Sequence, residues 1–437
     1  MNTVLFAAIA DDDTGASDLA GMLAGQDVKT VLVLDLPRPD QLAEWCAGAG
    51  AVVLAEGTRA IDPGLAYERT RAAIRLVRPL NPGLFQIKYC STFDSTERGN
   101  IGPTIDAAMD ELEVDFTIAF PALPVNGRTT YMGYHFVHQQ LLSDSPMRNH
   151  PLTPMTNPNL ANFLGRQTRR KVGLVSFRDV DAGAGAIRQR FAELRATGTQ
   201  IAVVDCLADR HVAAICEAAA DLRLISGGSG PGIGLPPVWR SRGLLGEPRR
   251  EPEEASAERS RLGCLIVAGS CSEATRSQND WIAEQGVMVL RLNAREIAAG
   301  EFQRQPVLDR AIDELRRGRP CLIATSASPG EVKEVQEWGR REGLSADEVG
   351  LRVARELAEL ARAIVEEQAV SGLISAGGET SGALCRRLEF GAFRVGKNIE
   401  PGVPLCHSLG RFRLPVVLKS GNFGSRNFYG LAIQAIG

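Results

Sequence analysis

The sequence predicts an α/β protein in which two domains, each built on a mainly parallel sheet, enclose an inter-domain cleft. Short runs that are apolar at every position alternate with helical patterns along most of the chain. This alternation is typical of parallel strands covered by helices on both faces. The chain has 437 residues, and at roughly 150 residues per domain such a length suggests two or three domains.

The first half of the chain contains predicted strands separated by helical patterns such as those at 16–23 and 66–76. The strands are predicted at residues 4–10, 28–36, 51–55, 84–89, 116–120, 171–177, 200–206 and 222–226. Residues 121–170 lack strand periodicity and are rich in Pro, Asn and Thr. They predict a long excursion from the first domain, and such excursions are often functional.

The alternation resumes in the second half around a long amphipathic helix predicted at residues 351–368. The strands are predicted at residues 262–268, 287–292, 320–325, 372–376 and 415–419. Between the halves, residues 246–260 read GEPRREPEEASAERS, a charged stretch without an apolar stripe, which predicts a linker. We therefore predict an N-terminal domain over 1–245 and a C-terminal domain over 261–437.

The composition excludes several classes of function. Lys and Arg number 49 against 52 Asp and Glu, a net charge of −3, whereas nucleic-acid binders usually carry a basic domain. No apolar run approaches the roughly 20 residues that span a bilayer, so neither nucleic acid nor membrane is an expected partner. The N-terminus has no basic region of a signal peptide, and the nine cysteines form no CxxC pair. Free thiols and a cytoplasmic location are expected.

Candidate site residues follow the predicted strands, because ligands of open parallel sheets bind beyond the carboxyl ends of the strands. The first strand runs into Asp11, Asp12 and Asp13. Three adjacent acids repel one another unless a cation or a ligand offsets their charge. They could hold a metal, accept a proton or bind hydroxyl groups; alternatively, one of them caps the following helix.

Four cations and many hydroxyl groups follow the third, fourth and fifth strands. The cations are Arg59, Lys88, Arg98 and Arg128, and the polar residues beside them are Thr58, Ser91, Thr92, Asp94, Ser95, Thr96, Asn126, Gly127 and Thr129. Arginine binds carboxylates in a bidentate manner, and hydroxyl-rich loops suit polyols. The first domain therefore predicts a site for a small hydroxylated anion.

The strand ends of the second domain are nearly neutral: AGSCSEAT, TSASPG, SAGGETSG and KSGNFGS. Loops of small residues leave backbone N–H groups free to surround phosphate oxygens, and a following helix N-terminus adds a favourable field. Tight turns are the alternative for any single loop, but four such loops favour nucleotide binding. The chain has no GxxxxGK[ST] and no HRD…DFG set, which excludes P-loop proteins and protein kinases.

Three further patterns are weak. Residues 227–234, GGSGPGIG, suggest a dinucleotide fingerprint, but they lie late in the first domain and two prolines follow. His135 and His138 have the spacing of zinc ligands on a helix face, yet no HExxH or Cys pair supports a zinc site, so a structural or substrate-orienting role is expected. No GxSxG elbow supports a hydrolase.

A polyol-acid site in one domain and a nucleotide site in the other together predict phosphoryl transfer. This chemistry needs alignment, a metal to offset charge, and an acceptor hydroxyl near a base. Magnesium would be held mainly by phosphates, waters and one or two carboxylates. The sequence does not identify its protein ligands.

The chain resembles the four-carbon acid sugar kinase family, formerly a domain-of-unknown-function family, over essentially its whole length. The resemblance rests on IADDDTGASD, KYCSTFDSTERGN, FPALPVNGRT, AGSCSEAT, SAGGETSG, PGVPLC and KSGNFG, in that order. CSTFDSTERGNIGP, PALPVNGRTTYMGYHFV and MRNHPLTPMTNPNL look like the 3-oxo-tetronate kinase branch. The resemblance implies ATP- and Mg²⁺-dependent phosphorylation of the C4 hydroxyl of 3-oxo-tetronate.

The resemblance also implies the residues that bind each ligand. On the acid-sugar side these are Asp11, Asp12, Arg59, Lys88, Asp94, Ser95, Arg98, Gly127 and Arg128. On the ATP side they are Ser270, Ser272, Thr275, Gly377, Gly378, Glu379, Thr380 and Gly421, with Pro401 and Gly402 beside the base or ribose. Asp94 is the first candidate for the general base and Asp12 the second.

The chain departs from the family pattern at two positions. Asp13 stands where an aromatic residue or Leu is usual, and Gly57 stands where the branch commonly has Lys. These departures bear on the identity of the acid sugar more than on the kinase activity. A D-threonate or D-erythronate kinase of the same family is therefore the alternative.

Two other readings come from different classes. A non-catalytic acid-sugar and ATP sensor would bind ATP without turnover. An NAD-dependent dehydrogenase would rest on glycine loops alone, and the sequence lacks a strand–GxGxxG–helix unit with a trailing acid. The sequence does not determine the oligomeric state, although enzymes of this size with a cleft are often homo-oligomers.

Overall fold

The computed structural model describes residues 4–150, 153–246, 262–325, 327–367 and 369–437. Contacts divide the chain into two compact units, residues 1–249 and 250–437. Apart from Gly246, the predicted linker 246–260 lies outside the described residues. Each unit is described below by itself.

The first unit is built on a parallel sheet whose strand order is β2-β3-β1-β4-β11-β5-β10-β9. These strands are β1 (Phe6–Ala10), β2 (Thr30–Val33), β3 (Ala51–Ala55), β4 (Leu84–Lys88), β5 (Thr117–Phe120), β9 (Val172–Val175), β10 (Ile201–Val204) and β11 (Leu224–Gly227). Each neighbouring pair is parallel, and Ala10 of β1 lies opposite Ala55 and Lys88. The central strands are buried at every position, as expected for a sheet covered on both faces.

Helices and short 3₁₀ turns connect the strands of the first unit. The helices are α1 (Asp13–Gly25), α2 (Pro39–Trp45), α3 (Pro63–Val77), α4 (Ile101–Leu112), α5 (Leu160–Gly165), α6 (Phe177–Asp181), α7 (Ala184–Ala196), α8 (Asp209–Ala219) and α9 (Pro231–Ser241). The 3₁₀ turns are Arg78–Leu80, Pro124–Asn126, Leu142–Asp144 and Pro146–Asn149.

The order of strands reverses between β1 and β4. The chain leaves β1 for β2 and β3 on one side, and then returns to β4 on the other side of β1. Such a switch point opens a crevice at the carboxyl ends of the two strands, where open α/β sheets bind their ligands. The topology therefore places a site after Ala10 and Lys88.

A small antiparallel sheet occupies part of the excursion expected to lack strands. It consists of β6 (Arg128–Tyr131), β7 (Tyr134–Val137) and β8 (Gln140–Leu141). The hairpin turn has positive φ at Met132 (52°) and Gly133 (80°), and Asp205 accepts hydrogen bonds from both amides, at 2.6 and 2.8 Å. The sequence-based expectation was wrong because these strands are too short and too polar to show an alternating pattern.

The second unit has a mixed sheet in the order β13-β14-β12-β15-β18-β17-β16. Its strands are β12 (Leu265–Ala268), β13 (Met288–Arg291), β14 (Cys321–Ala324), β15 (Leu373–Ala376), β16 (Ala392–Glu400), β17 (Val403–Ser408) and β18 (Pro415–Lys419). The first five in the sheet are parallel, whereas β17 runs antiparallel to both β18 and β16. The prediction missed β16 and β17.

Helices flank this sheet, and an apolar core lies beneath them that includes Ile266, Leu322 and Phe428. The helices are α10 (Glu273–Glu284), α11 (Ala294–Ala299), α12 (Gln305–Arg316), α13 (Pro329–Arg341), α14 (Ala346–Glu366), α15 (Gly378–Arg387) and α16 (Phe428–Ile436). The predicted α/β class with mainly parallel sheets is confirmed. The predicted strands are mostly right in position: those at 51–55 and 415–419 match the observed bounds, and most of the others run one to three residues past an observed end.

Two sequence-level expectations can be compared with the described residues. The nine cysteines all lie within them, none forms a disulfide there, and seven are buried. In the part of the chain that is described, we find no helix long and apolar enough to cross a membrane.

Candidate active site

A concave pocket lies at the switch point of the first unit, where the sequence placed the acid-sugar site. The loops after β1, β3 and β4 and the first turns of α4 form it, together with α3. Its lining residues are Ile9, Asp11, Thr58, Arg59, Thr70, Ile87, Lys88, Tyr89, Asp94, Ser95, Asn100, Ile101 and Thr104. Predicted site residues from three separate loops therefore meet in one pocket.

Arg59 joins the carboxylates of the pocket. Its Nε and Nη2 donate to the two oxygens of Asp11 at 2.8 and 3.0 Å, a bidentate pair. Its Nη1 lies 2.9 Å from Asp12 Oδ2 and 4.0 Å from Asp94 Oδ2. The repulsion expected among adjacent acids is thus offset by an arginine of this chain, 48 residues away from Asp11.

Burial opposes the charges of this cluster, and pairing offsets that effect in part for Asp11 and fully for Arg59. Burial raises the pKa of Asp11 above its usual value, against the hydrogen bonds and charge of Arg59 and the charge of Lys88, which lower it. Burial also disfavours the charged guanidinium of Arg59, but its hydrogen bonds to Asp11 and the charges of Asp11 and Asp12 leave its pKa raised. The positive charge of Arg59 is therefore already paired with carboxylates of the protein.

Asp12 is the N-cap of α1, as the alternative interpretation of the acidic run proposed. Its Oδ1 accepts a hydrogen bond from the amide of Gly15 at 2.8 Å, while its Oδ2 faces Arg59. Both oxygens are thus engaged. Asp13 is exposed in the first turn of α1, where negative charge is favourable.

Asp94 is the least engaged of the three pocket carboxylates. It is 8% exposed, and the hydroxyl of Thr92 donates to its Oδ1. Among the described residues, Arg59 at 4.0 Å is the only partner of its Oδ2. Asp94 therefore has acceptor capacity left for a hydroxyl group, which a general base requires.

Lys88 ends β4 within the pocket and is 2% exposed. Its Nζ donates to the carbonyl of Tyr89 at 3.0 Å. The absence of a side chain at Gly15 makes this packing feasible, because a Cβ there would lie 2.5 Å from Asp12 Oδ1 and 2.8 Å from Lys88 Nζ. A larger residue in place of Gly15, in the TGA segment after the acids, would therefore clash with Asp12 and Lys88.

The start of α4 fixes the loops on both sides of the pocket. Asn100 donates through Nδ2 to the carbonyls of Thr58 and Ile61 at 2.6 and 2.8 Å. Gln167 donates to Ser95 Oγ at 3.1 Å. The loop that carries Arg59 and the loop that carries Asp94 and Ser95 are therefore held by side chains outside the predicted set.

The two remaining cations of the predicted site are placed differently. Arg98 is exposed on the loop after β4. Arg128 is partly buried at the start of β6, donates to the carbonyl of Asn126, and has no acceptor for its Nε among the described residues. Neither residue has an ion pair among the described residues, so both remain open to a carboxylate ligand. Neither one lines the pocket described above.

Gly127 and the two histidines belong to the same excursion. Gly127 has φ +70°, and a Cβ there would lie 2.4 Å from His138 Nδ1. His135 is fully buried on β7, where its Nδ1 lies 2.9 Å from Thr130 Oγ1. Burial lowers its pKa to about 4, so its ring is neutral near pH 7. These histidines lie on a strand and just after it, and they do not share a helix face.

The loops after β12 and β18 meet in the second unit. The hydroxyls of Ser272 and Thr275 donate to the carbonyl of Gly421 at 2.6 and 2.9 Å. Ser272 also caps α10 by accepting from the amide of Thr275, and Ser270 Oγ accepts from the amide of Ser272 at 3.2 Å. A Cβ at Gly421 would lie 2.3 Å from Ser270 Oγ, which explains the glycine at this close approach.

The loop after β15 packs against the same region. Gly377 (φ +127°) precedes α15, and its amide donates to the carbonyl of Lys419 at 2.8 Å. A Cβ at Gly269 would lie 2.2 Å from Thr380 Oγ1, whereas a Cβ at Gly378 would meet nothing within 4 Å. Glu379 is exposed in the first turn of α15. The predicted ATP-side residues on β12, β15 and β18 are therefore brought together.

Gly402, predicted to lie beside the base or ribose, contacts the loop after β18. It has φ +79°, and a Cβ there would lie 2.8 Å from the ring of Phe423. Phe423 is 45% exposed. The glycine therefore lets an exposed aromatic ring pack over the turn at Pro401.

Sequence reasoning missed Asn100, Gln167 and Lys419. Lys419 is 1% exposed at the end of β18, and a lysine that ends an apolar run, as in PVVLK and LFQIK, could have indicated it. Asn100 and Gln167 act on loops far from them in sequence. Nothing in a single sequence indicates such contacts.

Two family models match almost the whole chain. A sugar-binding N-terminal domain covers residues 6–234, and a nucleotide-binding C-terminal domain covers residues 265–429. Relatives in Pseudomonas savastanoi and Cupriavidus necator, both named 3-oxo-tetronate kinase, are each 40% identical to this chain over 99% of its length and 97% of theirs. The chain belongs to the four-carbon acid sugar kinase family. The family predicted from the motifs is therefore confirmed.

The fold of the family is seen in a solved structure. A crystal structure of a Haemophilus influenzae protein from a domain-of-unknown-function family matches with a TM-score of 0.86 at 34% identity. The match covers 99% of this chain and 100% of that one. The whole two-unit chain, rather than one half of it, is thus shared within the four-carbon acid sugar kinase family.

Proposed function

We propose that this protein is a kinase that transfers the γ-phosphoryl group of ATP to the C4 hydroxyl of 3-oxo-tetronate, giving 3-oxo-tetronate 4-phosphate. The observation that carries the proposal is the contrast between the two sets of strand-end loops. Those of the first unit present charged groups and hydroxyls, whereas those of the second present glycines, hydroxyls and amides. The identity of 40% to relatives named 3-oxo-tetronate kinase supports the same reaction.

The first domain, residues 1–245, would bind the acid sugar. Because Arg59 is already paired with Asp11 and Asp12, the sugar carboxylate would pair instead with Arg98 and Arg128. The hydroxyl and keto oxygens would contact the pocket residues Asp11, Lys88, Asp94 and Ser95, together with Asp12 beside the pocket. Gly127 would let the chain turn so that Arg128 faces the ligand.

Asp94 would act as the general base for the C4 hydroxyl. It combines burial with an oxygen that protein donors leave largely free, whereas Asp12 is engaged at both oxygens. Asp12 is the second candidate. In loose phosphoryl transfer, positioning and charge offset contribute more than the base does, so Asp94 would also orient the attacking oxygen.

The second domain, residues 261–437, would bind ATP. The amides of Ser270 and Ser272 donate within the loop, so neighbouring backbone N–H groups at the start of α10, and those at the start of α15 beside Gly378, would bind phosphate oxygens. Thr275, Gly377, Thr380 and Gly421 would shape these loops, as their contacts indicate, and Glu379 lies in the first turn of α15. Pro401 and Gly402, packed against Phe423, would lie beside the base or ribose.

A magnesium ion would be bound together with the phosphates of ATP. Among the described residues, no group of three or more His, Cys, Asp or Glu side chains is arranged to hold a metal. This fits Mg²⁺, which usually keeps several waters and binds through substrate phosphates with one or two carboxylates. When bound with ATP, it would offset the phosphate charge; Glu273 and Glu379, in the first turns of α10 and α15, are the carboxylates next to the phosphate loops.

A coupled assay of ADP release tests the proposal. The purified protein is supplied with ATP, Mg²⁺ and one of four acid sugars: 3-oxo-tetronate made in situ by a dehydrogenase, D-threonate, L-threonate or D-erythronate. Turnover confined to 3-oxo-tetronate is expected. A control without the coupling dehydrogenase's acid-sugar substrate corrects for ATP hydrolysis.

The other outcomes separate the alternatives. Turnover on a threonate or erythronate instead would confirm a kinase but assign it to a sister branch of the family. Asp13 and Gly57, which depart from the pattern of the 3-oxo-tetronate kinase branch, would then be the first residues to examine. Tight ATP binding without turnover on any acid sugar would contradict the kinase and favour a sensor.

A further inference from the structure

A buried lysine lies under the loop that connects β18 to Phe423. Lys419 is the last residue of β18, which pairs with β15 on one side and β17 on the other. Only 1% of its surface is exposed. Its ammonium group is therefore enclosed by the protein, in the middle of the sheet and at its carboxyl edge.

The ammonium group donates to three oxygens of the surrounding loops. Lys419 Nζ lies 3.2 Å from Thr275 Oγ1, 3.1 Å from the carbonyl of Ser420 and 3.3 Å from the carbonyl of Gly421. The Gly421 carbonyl also accepts from Ser272 and Thr275. Three donors thus point this carbonyl towards the interior of the unit.

The orientation of this carbonyl sets the direction of the next amide. In a planar trans peptide the C=O and the following N–H point in opposite directions. The N–H of Asn422 therefore points away from Lys419, out of the loop. Loops that turn successive amides outward form concave sites for anions.

The charge of Lys419 has no ionic partner among the residues of its unit that the structure describes. No carboxylate among the described residues lies within ion-pair distance of its Nζ. Burial lowers the pKa of Lys419 to about 8, which shows how little opposing charge surrounds it. A buried cation without a carboxylate is costly unless an anion offsets it.

We propose that Lys419 is a positioning residue for the phosphate chain of the bound nucleotide. It holds the Gly421 carbonyl inward so that the adjacent amide faces the phosphates, and its unpaired charge attracts them from beneath the loop. This inference deepens the proposed function and rests on it, because it concerns the same ATP site. It assigns to Lys419 a role that is specific for the phosphates and not for the nucleoside.

Equilibrium binding of adenosine, ADP and ATP to the full-length protein tests this role. In Lys419→Met, which keeps the length of the side chain, the Kd for ATP and ADP is expected to rise about tenfold or more. The Kd for adenosine and the KM for the acid sugar are expected to stay within about twofold, because neither ligand part faces Lys419. Lys333→Met, which removes an exposed lysine of the same unit, is the matched control and should change none of these values.

A second variant separates charge from packing. Lys419→Arg retains the positive charge and is expected to preserve most of the ratio between ATP and adenosine affinity, even if its bulk lowers the melting temperature. Equal losses for adenosine and ATP in Lys419→Met would show a structural role and overturn the proposal, as would unchanged ATP binding. Absence of ATP binding by the wild-type protein would instead overturn the proposed function itself.

Discussion

Each unit buries a lysine at the end of a central strand, but the groups that surround the two ammonium ions differ. Lys88 and Lys419 each end a central strand, each is almost fully buried, and each donates to the carbonyl of the next residue. Lys88 lies beside Asp11, whose pKa its charge lowers. Among the described residues, Lys419 Nζ has only neutral oxygens within hydrogen-bond distance.

The difference reflects the ligands that each unit would bind. In the first unit, the charges of Asp11 and Asp12 are offset by Arg59 within the protein, so the pocket can bind a weakly charged polyol through hydroxyl contacts. In the second unit, Lys419 Nζ contacts neutral oxygens and has no carboxylate within ion-pair distance among the described residues, so its charge remains for a polyanion. Acids that are paired within the protein therefore favour binding of a small acid sugar through its hydroxyl groups. An unpaired cation favours binding of the phosphates of ATP.

The largest effect is expected from Asp94→Asn, which removes the proposed base while keeping an oxygen for Thr92 to donate to. We expect kcat to fall about a hundredfold or more, with the KM for ATP unchanged because the change is confined to the first unit. Steady-state kinetics with both substrates varied would measure it. Asp115→Asn, on the exposed opposite edge before β5, should behave as wild type. A loss of less than threefold in Asp94→Asn would move the base to Asp12.

A smaller and complementary effect is expected in the second unit from Gly378→Val. A Cβ at this position meets nothing within 4 Å, so the unit should fold with a nearly unchanged melting temperature, while the side chain obstructs the phosphates. We expect the KM for ATP to rise about tenfold, and the KM for the acid sugar to stay the same.

Gly269→Ala is the contrasting variant, since its Cβ would lie 2.2 Å from Thr380 Oγ1. It should lower stability. An unchanged KM for ATP in Gly378→Val would exclude the start of α15 from the phosphate site.

The smallest effect is expected on the stability of the protein and comes from Glu56, whose carboxyl group does not line the pocket. Both oxygens of Glu56 are buried without a hydrogen-bond partner among the described residues, and burial raises its pKa from about 4.5 to about 8. The folded state therefore keeps the proton that the unfolded state releases above pH 4.5. Its contribution to stability is complete below that pH and is lost as the pH rises to about 8.

Glu56→Gln should remove this pH dependence. We expect its melting temperature to gain a few degrees on that of the wild type between pH 5 and pH 8, measured by thermal unfolding at both values. Glu68→Gln, an exposed residue of α3, is the control and should follow the wild type. Parallel pH profiles for Glu56→Gln and wild type would show that Glu56 has a charged partner after all.

Several parts of the site could be predicted because they depend on local sequence. The acids after β1 and the glycines after β12, β15 and β18 follow apolar strands directly, so their position at the carboxyl edge follows from the strand pattern alone. The motif IADDDTGASD predicted the acidic cluster, with a helix cap as the alternative interpretation, and Asp12 provides that cap. The strands β6, β7, β16 and β17 escaped prediction because antiparallel strands with one exposed face lack continuous apolar runs.

Other parts depend on contacts between residues far apart in sequence. Which cation offsets Asp11 could not be read from four candidates, and it is Arg59 because the β1–β3 pairing brings the two loops together. Likewise, Asn100 and Gln167 hold the pocket loops from the start of α4 and beyond α5.

The sequence by itself determined the fold class, the family and the chemical character of each strand-end loop, because apolar periodicity and local motifs encode them within short segments. Only the tertiary structure decided which charges are paired. Pairing depends on distances of a few ångströms between side chains on different loops, and these distances arise only when the sheet aligns its strand ends. In the sequence, Arg59 and Lys419 are both single cations that follow apolar runs. In the folded chain, Arg59 is paired with the carboxylates of Asp11 and Asp12, whereas Lys419 donates to neutral oxygens.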